Sequence, residues 1–325
     1  ASNNTAVGYL ALTANTTGTQ SVAVGANALD AQTTGGYNTA VGYNTLSAMT
    51  TGNNCVAVGS TAGAANTTGA NLTAVGANCL DANTTGSENT GIGSHALSVN
   101  TTGGSLTALG YGTLIANTTA NHNVAIGRDA MAANTTGSEN TAVGTYSLDA
   151  NTTANDNVAV GYQALTANTT GASNTAVGSL ALAANTTGTQ LVAVGRNALT
   201  ANTTANNNTA VGYAALAANT TGSENTAMGI EALTSNTTAA SNTAVGKSAL
   251  GACTTGASNT AVGRGCLDSC TTGTENTSVG KSSMEDITTG NYNVALGVES
   301  LREATSAEEN VAIGFQALEY ATGSN

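Results

Sequence analysis

The residues able to do chemistry in this chain fall into columns set by a glycine that recurs every seventeen positions, from Gly8 to Gly314. One residue after that glycine stand Tyr9, Tyr43, Tyr111, Tyr162, Tyr213 and Phe315, together with Arg128, Arg196, Lys247, Arg264 and Lys281. Five of the six basic residues share this one column. Aromatic and basic side chains on an otherwise poor surface are what sugar or protein recognition uses. They would equally serve as an edge that covers the neighbouring repeat. Seven after the glycine, an Asn opens an N-T-T turn at Asn15, Asn66, Asn83, Asn100, Asn117, Asn134, Asn151, Asn168, Asn185, Asn202, Asn219 and Asn236. Each is formally a glycosylation acceptor. The reading we prefer is a ladder of amides bonding along a stack. Copies ~4.8 Å apart leave little room for a sugar on every rung.

Cys253 and Cys270 replace that Asn in consecutive copies and should lie one above the other. Such a spacing falls within the ~4.4–6.8 Å that a disulfide spans; small buried fillers are the simpler reading, and both stay open here. Cys55, Cys79 and Cys266 lie in other columns, and neither His95 nor His122 falls beside Cys253, so four zinc ligands do not converge. Carboxylates concentrate in two further columns. One holds Asp30, Asp81, Asp149, Asp268, Glu285 and Glu319, the other Glu88, Glu139, Asp156, Glu224, Glu275 and Glu309. Mostly they skip rungs, as like charges one rung apart repel. Glycosidase chemistry needs a carboxylate pair in a cleft, and a strict repeat without long loops builds no cleft. Neighbouring Thr residues in an extended chain face opposite ways, which disfavours ice binding. We expect no enzyme, no cofactor and no metal site.

These columns need a scaffold of identical stacked units. Nineteen copies of N-T-A-V-G-x-x-A-L-x-A-N-T-T-G-x-x follow one another without insertion or deletion, the signature of a solenoid. The residue before the glycine is Val thirteen times and otherwise Ile, Leu or Met. Two before it is Ala in seventeen copies, with Gly91 and Ser278 the exceptions. Four after it is Leu in sixteen, replaced by Gly63, Met131 and Met284. Thr stands eight after it in every copy, from Thr16 to Thr322. Period-two alternation before the glycine reads as a short strand. The x-x-A-L-x-A segment is ambiguous between strand and helical turn. Stacking at ~4.8 Å rather than the ~8–10 Å of packed helices favours an all-β coil with a tight 3₁₀ turn.

The expected fold is therefore all-β: a parallel β-solenoid of nineteen seventeen-residue coils, assembled as a trimer. It forms one repeat domain over 1–325, with the divergent segment 298–325 a candidate cap. Branched residues and Leu should fill the coil. The small Ala/Gly face, with Ala159, Gly161, Ala176 and Gly178 at mid-chain, should then admit a neighbouring chain closely, most simply around a three-fold axis. The alternative is that Ala and Gly merely fill a thin single-chain coil.

Charge narrows the partners. Eighteen acidic against six basic residues give a net charge of −12, which argues against nucleic acid, whose binding needs Lys and Arg to displace counterions. No run approaches the ~20 apolar residues of a membrane span. The chain shows no signal-peptide pattern and no initiator Met, and we read it as a mature or excerpted piece of something longer.

The motif resembles the head repeats of trimeric autotransporter adhesins. Their N-S-V-A-I-G is matched by Asn123-Val124-Ala125-Ile126-Gly127 and Asn310-Val311-Ala312-Ile313-Gly314. The whole pattern is similar to repeat arrays in tail-fibre-like proteins of phages and environmental bacteria. The adhesin unit has about fourteen residues rather than seventeen. The resemblance implies a left-handed β-roll in a homotrimer, displayed outside the cell, on its surface or on a virion, where it could meet a surface glycan or host receptor. The expected function is a structural or adhesive fibre shaft. The alternative is the subunit of a head-to-tail, glycosylated extracellular filament.

Overall fold

A computed structural model describes residues 1–320. Every repeat contributes one three-residue strand, from β1 (Thr5–Val7) to β19 (Val311–Ile313), and among the described residues there is no helix. Two compact units are distinguished, Ala1–Ala159 and Val160 onward, with β10 (Val158–Val160) at the division. In the first unit β1 to β9 (Thr141–Val143) pair successively in parallel, each residue with its counterpart seventeen further on, as in Ala6 with Ala23 and Ala125 with Ala142. In the second, β11 (Thr175–Val177) to β19 do the same, Ala176 opposing Ala193 and Ala295 opposing Ala312. Each unit is a parallel β-solenoid.

Three residues per coil would be a poor ladder by themselves, and the turns supply the rest. Each coil turns on left-handed residues two and four after the glycine and five before it. In one coil these are Asn197 at φ 59°, Leu199 at 50° and Gln190 at 57°. Their N–H groups also bond from coil to coil: Asn197 donates to Ser179 O (3.1 Å), Leu199 to Ala215 O (3.0 Å) and Gln190 to Ala172 O (3.3 Å). The expected 3₁₀ turn at the Ala-Leu pair is thus replaced by a left-handed corner. Left-handed Leu is sterically costly, at ~1–2 kcal/mol. What it gains is a side chain swung fully inside: Leu165, Leu182 and Leu199 are all buried, each stabilising by ~1.5–3 kcal/mol.

The strand faces the other way from the sequence expectation. Ala159 and Ala176 are fully buried inside the single chain, as are Ala193, Ala210 and their equivalents. The branched residues beside them point out: Val41 is 36% exposed, Leu109 42% and Leu296 48%. Gly161 and Gly178 approach not another chain but the next coil. A Cβ on Gly178 would stand 2.6 Å from the backbone C and O of Gly195. The Ala/Gly face is therefore not a contact between chains; it fills a thin coil.

The space behind that face is methyl-sized. At Gly91, a Cβ would lie 2.6 Å from Cys79 Sγ and 3.4 Å from Leu80 Cδ1, both in the preceding coil. Cys79 replaces an Ala, and the Ala twelve residues on has become Gly91. Cys266 replaces the same Ala, and twelve residues on stands Ser278, 2.9 Å away through Sγ and Oγ. Gly91 is thus a compensation for its larger neighbour Cys79, whereas Ser278 is larger than the Ala it replaces and is held by hydrogen bonds instead, with Cys266 Sγ and with Ser283 Oγ (2.9 Å). The segment 298–320 keeps the coil geometry: Leu301 is buried, Asn310 N donates to Asn293 Oδ1 (3.1 Å), and Glu303, Glu308 and Glu309 lie on the outside. Thr322 and the rest of the candidate cap lie outside the described residues.

Candidate functional site

Two columns of Asn run through the interior. In the first unit, Asn83 Nδ2 donates to Asn66 Oδ1 (3.0 Å), Asn100 to Asn83 (2.8 Å), Asn117 to Asn100 (2.8 Å), Asn134 to Asn117 (3.2 Å) and Asn151 to Asn134 (2.8 Å). In the second, Asn185, Asn202, Asn219 and Asn236 each donate to the Asn one coil back, from Asn168 onward, at 2.8–3.1 Å. Every one of these residues is fully buried. Their amides are spent, so this column is a ladder and not a row of sugar acceptors; Asn15, in the first coil, is half-buried and bonds Gly18.

The second column, four before the glycine, was not singled out from the sequence. Asn208 Oδ1 accepts from Asn225 N (2.8 Å) and its Nδ2 donates to Gly222 O (2.7 Å), which Asn219 Nδ2 also reaches at 2.9 Å. Two buried amides per coil thus converge on one carbonyl. The signal was present in the N of N-T-A-V-G, read there only as a family mark. A buried amide left without its partner costs ~1–3 kcal/mol. Asn219→Leu strands Asn202 Oδ1 and leaves Asn236 Nδ2 with Ala239 O alone, so it should lose about that much in denaturant unfolding. Cys270→Ala, where the ladder has already ended, should lose less.

That end is at Asn236, whose Oδ1 has no donor because Cys253 follows. Cys253 and Cys270 are free thiols, not the disulfide their spacing permits. Each Sγ instead faces a carbonyl of its own coil, Gly256 O (3.2 Å) and Gly273 O (3.6 Å). Burial pushes the Cys253 thiol up to about 12 and Cys270 to about 11. Cys55, Cys79 and Cys266 are buried and pushed up the same way, to about 11, 12 and 11. Thiols held protonated are poor nucleophiles.

The chemistry left to the surface is in the column after the glycine. Tyr9, Tyr43, Tyr111, Tyr162 and Tyr213 are all exposed, from 73% at Tyr9 to 45% at Tyr213. The structure brings some of them together. Tyr111 meets the His95 ring edge-on at 6.0 Å, and the Arg128 guanidinium lies 5.9 Å from its centroid, itself paired with Asp129 at 3.1 Å. Arg196 and Tyr213 occupy neighbouring coils, whereas Tyr9 and Tyr43 stand apart in the column. The carboxylate column beside it is partly sunk: burial raises Asp81, Asp149 and Asp268, with Asp129 adding to Asp149, and Glu285 and Glu231 adding to Asp268.

The densest grouping is in the second unit. Lys247, Arg264 and Lys281 line a shallow cavity of about 250 Å³ together with Ser248, Gly265, Ser282, Asp268 and Glu285. Among the described residues the ion pairs are Arg128–Asp129 and Arg302–Glu285 (3.2 Å), so none of the three cations is paired. Among those residues, too, no helix is long and apolar enough to cross a membrane. No protein-family model matches the chain, and no curated protein is similar to it.

Proposed function

We propose that the chain is the repeat shaft of an extracellular fibre, on a cell surface or a virion, with a structural or adhesive role and no catalytic one. One observation carries this reading: seventeen-residue coils bonded to their neighbours around the whole perimeter, under a row of outward aliphatic side chains. A surface strand that repeats Val41, Val58, Ile92 and Leu109 in one column, each 36–42% exposed, is unusual for a face meant for water. Further copies of the same chain are its fitting cover, since equal coils meet equal coils in register, and a three-fold arrangement is the simplest closed one. The resemblance of N-V-A-I-G to adhesin head repeats supports the same assignment. In this assembly the valines, rather than the alanines, face the partner.

Sedimentation equilibrium of the purified chain tests it. A discrete homo-oligomer, with three chains expected, supports the proposal. A stable monomer at micromolar concentration overturns it, and long continuous filaments in micrographs would replace the shaft by a head-to-tail polymer.

A further inference from the structure

The interior amide column changes character where its ladder ends. From Asn168 to Asn236 each coil places an amide there; the next two coils place Cys253 and Cys270, and the coil after them Ile287. Asn236, both cysteines and Ile287 are fully buried. In the ladder above, each Oδ1 accepts from the coil that follows, as Asn219 Oδ1 does from Asn236 Nδ2 at 2.8 Å. By the same geometry Asn236 Oδ1 faces Cys253, and it is left without a donor. The column thus holds a buried unpaired acceptor, then two thiols, then an apolar floor.

The two thiols are set in register. Each Sγ faces the carbonyl of the glycine three residues on, Gly256 O at 3.2 Å and Gly273 O at 3.6 Å. Pointing the same way in consecutive parallel coils, the sulfurs stand about one coil rise apart, roughly 4.8 Å. Two metal–thiolate bonds of ~2.3 Å laid end to end span nearly that distance. An ion midway between them is held by two sulfurs in line. A tetrahedral ion is poorly served, because zinc takes four ligands and among the described residues no group of three His, Cys, Asp or Glu gathers. The nearby carbonyl oxygens are engaged, Gly256 O by Asn242 Nδ2 and Gly273 O by Asn259 Nδ2, both at 2.8 Å. Soft thiolates select soft ions, and a linear pair selects those that are satisfied by two ligands: Cu(I), Ag(I) and Hg(II). Charge decides among these. Hg(II) displaces two thiol protons to solvent and forms two Hg–S bonds for the two S–H bonds broken. The interior stays neutral and no oxidation state changes. A monovalent ion between two thiolates would bury a net negative charge below the Asn236 carbonyl, which is costly. We propose that Cys253 and Cys270 form a two-coordinate site for a soft divalent cation, Hg(II), enclosed between Asn236 and Ile287. Local opening of one turn admits the ion, since Thr255 and Thr272, two residues beyond the thiols, are exposed. Every residue of the site belongs to one chain, so the inference does not depend on the number of chains in the fibre.

The test loads the whole chain, reduced and kept anaerobic, with mercuric chloride and then dialyses it against excess free cysteine. One mercury per chain should be retained, and X-ray absorption should show two sulfur neighbours. The double variant Cys253→Asn, Cys270→Asn continues the amide ladder; it should melt no lower than the parent and retain mercury about ten-fold less or worse. Cys253→Ala should lose it too, and Ala304, buried in the same column, shows that alanine is accommodated there. Cys266→Ala, which restores the common residue of its own column, should keep it. Ag(I) and Zn(II) loaded in the same way should be retained about ten-fold less than Hg(II) or worse. The proposal is overturned by absence of retained mercury, by retention in the Asn variant, by dependence on Cys266, or by equal retention of Ag(I) or Zn(II). A third ligand in the absorption spectrum overturns it as well. So does finding only three of the five thiols titratable in the unfolded, unloaded chain, the mark of a disulfide. A monomer in sedimentation with mercury retained would instead remove the fibre reading alone.

Discussion

Replacing Gly195 by alanine should cost about 3 kcal/mol or more and open the coils on both sides of it. Gly195 has φ 135°, a region that residues with a Cβ scarcely enter. The added carbon would stand 2.4 Å from Gly212 O and 2.7 Å from its C, both backbone atoms of the next coil. Relief requires a shift of that coil, and the coil is fixed by Gly212 N donating to Val194 O at 2.8 Å. Strain and overpacking act together, each worth ~1–3 kcal/mol. Gly265→Ala is the matched control. Its φ of 61° is one that Ala214 adopts at the same position (53°), and its surroundings are open. That change should cost only ~1–2 kcal/mol. Repeat proteins unfold in segments, so a single melting curve understates a local break. Hydrogen exchange at the Gly195 and Gly212 amides should show protection lost in Gly195→Ala; equal protection in both variants would contradict the close packing of the glycine column.

Register was the most legible property of this chain, and the reason is physical. Stacked coils share every rung, so no coil can change length without unpairing both neighbours, and the seventeen-residue spacing survives even where side chains diverge. The position of the strand and the amide ladder from Asn66 followed from the same spacing. Inside and outside did not follow. Reading large as buried and small as exposed put Val177 in the core and Ala176 on the surface, and the thin coil reverses both. The correcting signal was in the sequence, in Cys79 with Gly91, a pair twelve residues apart that trades volume, and in Cys266 with Ser278, a pair at the same spacing that trades a hydrogen bond. The turn was hidden because Leu has no preference for left-handed backbone; only Gly63 in its column, at φ 62°, betrays the conformation. Two residues earlier the hint is clearer, since Asn27, Asn44, Asn78 and Gly112 are types that tolerate it. The shallow cavity could not be read from any single column. It exists because cations and small residues on three consecutive coils coincide with carboxylates on two of them.

The reversal of the strand face changes what a mid-chain substitution should do. Ala176→Leu adds three carbons where the repeat geometry places Ala164 and Leu165 of the preceding coil, by analogy with the contacts of Gly91 to Cys79 and Leu80. Ala176 has no exposed surface, so the loss should be ~1–3 kcal/mol or more and should fall on the folding of the coil. Val177→Asp, one residue on, changes a side chain that is 37% exposed. It should leave the single chain's melting almost unaltered and reduce the size of any assembly, because a symmetric contact repeats the charge in every copy. Measured together by thermal melting and sedimentation, the two variants should separate: one unfolds, the other dissociates. The volume argument sharpens this further. Ala164→Cys alone should destabilise, and adding Ala176→Gly should recover part of the loss, since the pair reproduces Cys79 with Gly91. A double-mutant cycle with no favourable coupling, or an Ala176→Leu chain that melts normally and only dissociates, would return the alanine column to the surface and the valines to the core.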